Sequence, residues 1–146
     1  AQVIVDILSR FHFESALMRL RPGGEVSPRE LTELMLDAQA RTYGNALEQN
    51  ERHGWMWAVK GHYYSPDLAF YNFPYAFGQL FALSLYSLFE EEGPEFATRY
   101  NEILRRTGSQ DAVSVARSAG FDIESPDFWR RGIKVIESFV KEFQAS

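Results

Sequence analysis

The sequence contains no cysteine, which removes disulfide frameworks, thiol nucleophiles and thiolate metal sites together. A reducing compartment, the cytoplasm, is the expected setting. Its three histidines, His12, His53 and His62, include no pair four residues apart, so no helix face can present two imidazoles to a zinc ion. Gly23-Gly24 is followed by Glu25-Val26, and no Gly-Lys-Ser/Thr occurs to cradle a nucleotide phosphate. No serine has the small neighbours of a nucleophile elbow. Basic residues number 15 against 20 acidic ones, a net charge of −5 that offers no general attraction to nucleic acid or an anionic membrane. The opening AQVIVDILSRFHFE carries Asp6 and Arg10 inside its apolar stretch and does not read as a signal peptide.

What is present is apolar: 45% hydrophobic and 15% aromatic residues in 146 predict one folded domain with its own core. Val3, Ile7, Leu8, Phe11, Leu17, Met18 and Leu20 fall near helical spacing, predicting a first helix over roughly residues 2–21 that Pro22-Gly23-Gly24 stops. Ser27-Pro28-Arg29-Glu30 supplies a capping hydroxyl, a proline where no N–H is needed and a glutamate to close a capping box, so a second helix should run to about Tyr43. The same Ser-Pro start recurs at Ser65-Pro66-Asp67 and Ser125-Pro126-Asp127.

Ala69 to Phe89 carries no charge, but Asn72, Pro74, Gly78, Gln79, Ser84 and Ser87 interrupt it and Glu90-Glu91-Glu92 follows, which argues against a membrane span. A central helix buried all round, starting near Pro74 and ending at Gly93, is the reading that fits. Further helices are expected from Pro94 to about Arg106 and from Ser109 to Ala119. In the last one, Trp129, Ile133, Ile136, Val140 and Phe143 form an amphipathic stripe. With no strand alternation, repeat or linker, residues 1–146 read as a single all-α unit, a multi-helix bundle.

The chemistry-bearing residues concentrate in Gly61-His62-Tyr63-Tyr64 and Phe70-Tyr71-Asn72-Phe73-Pro74-Tyr75, which hold one histidine and four tyrosines. Tyrosine hydroxyls and an imidazole N–H are neutral or switchable donors suited to an oxyanion as it forms. The plainer alternative is that aromatics beside a buried helix are core. Trp55 and Trp57 read as packing or as a pocket wall, His12 as half-buried and His53 as exposed.

The stretch GHYYSPDLAFYNFPYAFGQLFALSLY, with FHFE and the Ser-Pro-Arg-Glu-Leu start upstream and SVARSAGFDIESPDFW downstream, resembles the C-terminal region of the oligoendopeptidase F and thimet oligopeptidase family of zinc metallopeptidases. The resemblance implies that the chain is the C-terminal part of a larger helical peptidase that hydrolyses short peptides. In that family zinc is held by a His-Glu-x-x-His helix and a further glutamate that precede this region. Zinc is thus implied for the complete enzyme, none for this chain alone, which is expected to be inactive. A histidine and tyrosines of the family's C-terminal loop hydrogen-bond the tetrahedral intermediate. By position His62 corresponds to that histidine and Tyr71 to the first residue of a Tyr-x-Tyr pair. The second is Phe73 here, leaving Tyr75 or Tyr64 to supply the missing hydroxyl. The loop Gly61 to Ala69 looks like the family's mobile substrate loop. Implied partners are peptide substrates and the upstream zinc-binding part of the same polypeptide, with no nucleic acid and no membrane; apolar surface left uncovered should favour self-association. The alternative is a non-catalytic helical module that binds peptides or a partner.

Overall fold

In the computed structural model, which describes residues 2–146, the helices gather into two compact units, Ala1–Phe77 and Gly78–Ser146. The architecture is all-α. Among the described residues the only β pairing is an isolated bridge between Thr107 and Gln110.

In the first unit a π-helical turn, Gln2–Asp6, leads into α1, Ile7–Leu20, and a 3₁₀ turn at Arg21–Gly23 closes it. The expected single helix over residues 2–21 is therefore three segments of different pitch. Helix α2, Pro28–Tyr43, starts on the capping box the sequence encodes: Ser27 accepts from the Glu30 N–H and Glu30 from the Ser27 N–H. Phe13 of α1 and Met35 and Ala38 of α2 are buried against one another, with Leu17, Leu31, Leu34, Met56, Trp57 and Tyr63 packed around them. The segment after α2 is tied to it by buried Gln39, whose amide accepts from the His53 N–H and donates to the His53 carbonyl, 2.9 and 3.0 Å. Trp57 is packing, its indole N–H on the Thr32 hydroxyl at 3.2 Å, while Trp55 stacks on it from the exposed side. His12 is half-buried and His53 exposed.

Helix α3 spans Phe73–Glu92, and most of it belongs to the second unit. It buries one face, Ser84, Leu85 and Leu88, while Tyr86 and Phe89 are exposed, so the expectation of a helix buried all round is corrected. Gly93, in the left-handed region at φ 73°, ends it. Next come α4, Phe96–Arg106, and α5, Ala112–Ser118, whose cap is the Asp111 carboxylate rather than a residue near Ser109. Helix α6, Pro126–Ala145, starts at Ser125, whose hydroxyl accepts from the Asp127 N–H.

Phe96, Phe121 and Phe128 are stacked in the core with Ile103, Val115, Ala116 and Val135, each such burial being worth roughly 1.5–3 kcal/mol for the large side chains. Helix α6 meets α3 closely because residue 132 is glycine: a Cβ there would lie 2.7 Å from the Leu80 carbonyl oxygen. The buried Ser84 hydroxyl completes the seam, donating to the Phe128 carbonyl and accepting from the Gly132 N–H. The buried face of α6 is thus Phe128, Gly132 and Val135; Ile133, Val140 and Phe143 of the predicted stripe are exposed. Periodicity located an apolar face on this helix, but the intramolecular contact uses the neighbouring one. Among the described residues no helix is long and apolar enough to cross a membrane.

Candidate active site

The sequence between α2 and α3 makes a 3₁₀ turn at Gly61–Tyr64 and then a series of turns up to Asn72. No helix begins at Ser65-Pro66, contrary to the sequence expectation. The Ser-Pro signal permits a helix start, but the chain reverses at Phe70, which sits at φ 52°. A continuing helix cannot hold a residue in that left-handed region.

These turns bring His62, Tyr71 and Tyr75 together. The imidazole of His62 lies against Tyr71, ring centroids 5.4 Å apart, and Tyr71 meets Tyr75 edge-on at 5.5 Å. The Tyr75 hydroxyl donates to the Tyr71 hydroxyl at 2.6 Å, and both side chains are exposed. Tyr75 uses its proton in this way, which raises its pKa above the ordinary tyrosine value. The Tyr71 oxygen is then the acceptor, so its own proton is available to a third group.

Behind His62 stands Asn72, 2% exposed, its amide nitrogen 2.8 Å from Nε2. With the amide nitrogen as donor, Nε2 is the acceptor, an arrangement that goes with a neutral ring carrying its proton on Nδ1. Burial first, then the charges of Arg10 and Lys60, hold its pKa below the ordinary histidine value, in agreement. The site thus offers two neutral donors, the His62 Nδ1–H and the Tyr71 hydroxyl.

Tyr64 is committed elsewhere: it is exposed and its hydroxyl donates to the Trp57 carbonyl at 3.1 Å. Phe73, at the other position considered for a donor, packs edge-on against Phe11. Tyr63, beside His62 at 4.3 Å, turns inward, and its hydroxyl is buried without a hydrogen-bond partner. Burial pushes its pKa far up, with Arg10 opposing and Glu14 and Asp6 adding. Asn72 and Glu14 were not identified as site residues from sequence. Asn72 stood out only as a polar interruption in an uncharged run, and Glu14 only as the end of FHFE.

No group of three or more His, Asp or Glu side chains is gathered to hold a metal ion among the described residues.

Comparison with known proteins bears on the family. The chain is 26% identical over 126 residues to the oligopeptidase PepF of Bacillus subtilis (strain 168), covering 86% of this chain and 18% of that protein. It is 28% identical over 133 residues to an oligoendopeptidase F homolog of Lactococcus lactis subsp. lactis (strain IL1403), covering 90% and 22%. No protein-family model and no solved structure matches it. The chain spans about a fifth of the length of these curated relatives, and across that span it is similar to proteins named as an oligopeptidase and an oligoendopeptidase.

Proposed function

We propose that this chain supplies the oxyanion-binding part of a zinc-dependent oligoendopeptidase acting on short peptides in the cytoplasm, and that it corresponds to the C-terminal region of the enzyme. The observation that carries the reading is the placement of the His62 imidazole against Tyr71, ring centroids 5.4 Å apart, with the Tyr75 hydroxyl donating to that of Tyr71 and both tyrosines exposed. Such donors gain strength as charge appears on the carbonyl oxygen under attack, and so favour the transition state over the bound peptide. The metal of the complete enzyme belongs to a part of the polypeptide outside this chain, and the chain alone is expected to show no turnover.

The test begins with the intact mass of the natural product in its source cell. In that product His62→Ala and Tyr71→Phe should each lower kcat by about 10²–10³, the usual size for losing one oxyanion donor, with KM close to the parent's. Unchanged kcat in folded variants returns the aromatics to a packing role.

A second reading, a non-catalytic interaction module, draws on the second unit. There α3 and α4 line an apolar groove of about 490 Å³ that includes Phe81, Tyr86, Phe89 and Tyr100. A natural product no longer than this chain, monomeric and inactive on peptides, would favour it.

A further inference from the structure

The FHFE segment of α1 grips both ends of the site loop. Phe13 packs edge-on against Tyr63, the neighbour of His62, with centroids 5.1 Å apart. Phe11 meets Phe70, the neighbour of Tyr71, at 5.9 Å. Glu14, three residues from Phe11 and so on the same helix face, accepts a hydrogen bond from the Phe70 N–H through Oε1 at 2.5 Å.

Glu14 is an unusual residue to find there. It is 2% exposed, its Oε2 has no hydrogen-bond partner, and burial raises its pKa. A buried carboxyl with an idle oxygen is a poor choice for packing alone. Phe70 is equally unusual, because it is the only non-glycine among the described residues with positive φ, a conformation rare for a bulky side chain. The two anomalies meet in one hydrogen bond. Two residues further on, Asn72 holds Nε2 of His62.

We propose that Glu14 is a positioning residue for His62 and Tyr71, acting through the main chain of Phe70: its carboxyl fixes the left-handed turn from which Tyr71 and Asn72 depart. The functional meaning of this assignment rests on the reading of His62 and Tyr71 as oxyanion donors, but its geometry does not.

The test uses the whole chain, labelled with ¹⁵N, and long-range ¹H–¹⁵N spectra of the imidazoles. In the parent, His62 should show the Nδ1–H tautomer and titrate below the ordinary histidine value. Glu14→Ala, with helical circular dichroism intact, should shift His62 toward the Nε2–H tautomer common in free imidazole and raise its pKa toward the ordinary value. Glu14→Gln, which keeps an acceptor for the Phe70 N–H, should retain the parent signature. Adding Phe70→Gly to Glu14→Ala, which removes the left-handed penalty, should recover part of it. Should the alanine variant lose its helical signal, Glu14→Met fills the space without an oxygen and takes its place in the same comparison.

A His62 tautomer and pKa unmoved in the folded Glu14 variant would overturn the proposal. So would a change that neither Glu14→Gln nor Phe70→Gly reverses, since that is the pattern of general loosening. These readouts do not depend on turnover. Loss of the His62 signature without any catalytic role for His62 would sink the oxyanion reading and leave the assignment of Glu14 standing, and the converse result would do the reverse.

Discussion

The Asn72 amide nitrogen lies 2.8 Å from Nε2 of His62, at the ring nitrogen that would have to take up a proton in acid. The folded chain holds His62 neutral, mainly by burial, and its pKa lies below the ordinary 6.5. In the unfolded chain the ordinary value applies, so as pH falls below about 6.5 the unfolded state takes up the proton first. The contribution to stability is therefore complete above that pH and is lost as pH drops through the lower folded value. His12, also depressed chiefly by burial, adds a slope of the same sign. Melting temperatures between about pH 7 and 5 should fall more steeply for the parent than for His62→Gln. Parallel curves would mean that His62 has the same affinity for protons in both states.

Two glycines inside helices make a matched pair with opposite expectations. At Gly132 an added Cβ meets the Leu80 carbonyl oxygen at 2.7 Å and the Ser84 hydroxyl at 2.9 Å, so Gly132→Ala must push α6 from α3. The cost should be about 1–3 kcal/mol, read from urea unfolding. At Gly78 in α3 the Cβ meets nothing within 4 Å, and Gly78→Ala should stabilise the chain by roughly 0.5–1 kcal/mol. If Gly132→Ala left the midpoint unchanged or raised it, the close seam at Gly132 would be wrong.

How far the sequence could be read depended on the range of the interactions concerned. The Ser27–Glu30 box and the Ser125 cap are local, made within three residues, and the sequence locates both helix starts. The same signal at Ser65-Pro66 misleads because the deciding bond, Glu14 to Phe70, joins residues 56 apart. His62, Tyr71 and Tyr75 are visible as residue types in a short stretch, whereas Asn72 and Glu14 matter only through partners that folding supplies. For α3 and α6, the spacing of apolar residues marks a helix but does not say which side meets a neighbour.

The buried face of α3 decides which of its leucines is costly to truncate. Leu85, 5% exposed, is core, so Leu85→Ala should cost about 2–5 kcal/mol. Leu83 is only half-buried, and Leu83→Ala should cost distinctly less in the same denaturation series. Equal losses at the two positions would show that both sides of the helix are covered in solution.

Tyr71 and Tyr75 should prove unequal partners in the complete enzyme. Tyr75 spends its proton on the Tyr71 oxygen, 2.6 Å away, and a hydroxyl that accepts one hydrogen bond becomes a better donor of its own. On the oxyanion reading, Tyr71→Phe removes the donor itself, whereas Tyr75→Phe only deprives that donor of support. Tyr75→Phe should therefore lower kcat by a smaller factor than the roughly 10²–10³ expected for Tyr71→Phe. The double variant should be no slower than Tyr71→Phe alone, because Tyr75 has nothing left to strengthen. The isolated chain offers an independent check in ultraviolet pH titration. The raised pKa of Tyr75 is caused first by its bond to Tyr71, so Tyr71→Phe should return it toward the ordinary tyrosine value. Multiplicative losses in the double variant would mean that each hydroxyl meets the substrate directly, and Tyr75 would then be the second donor that Phe73 cannot be.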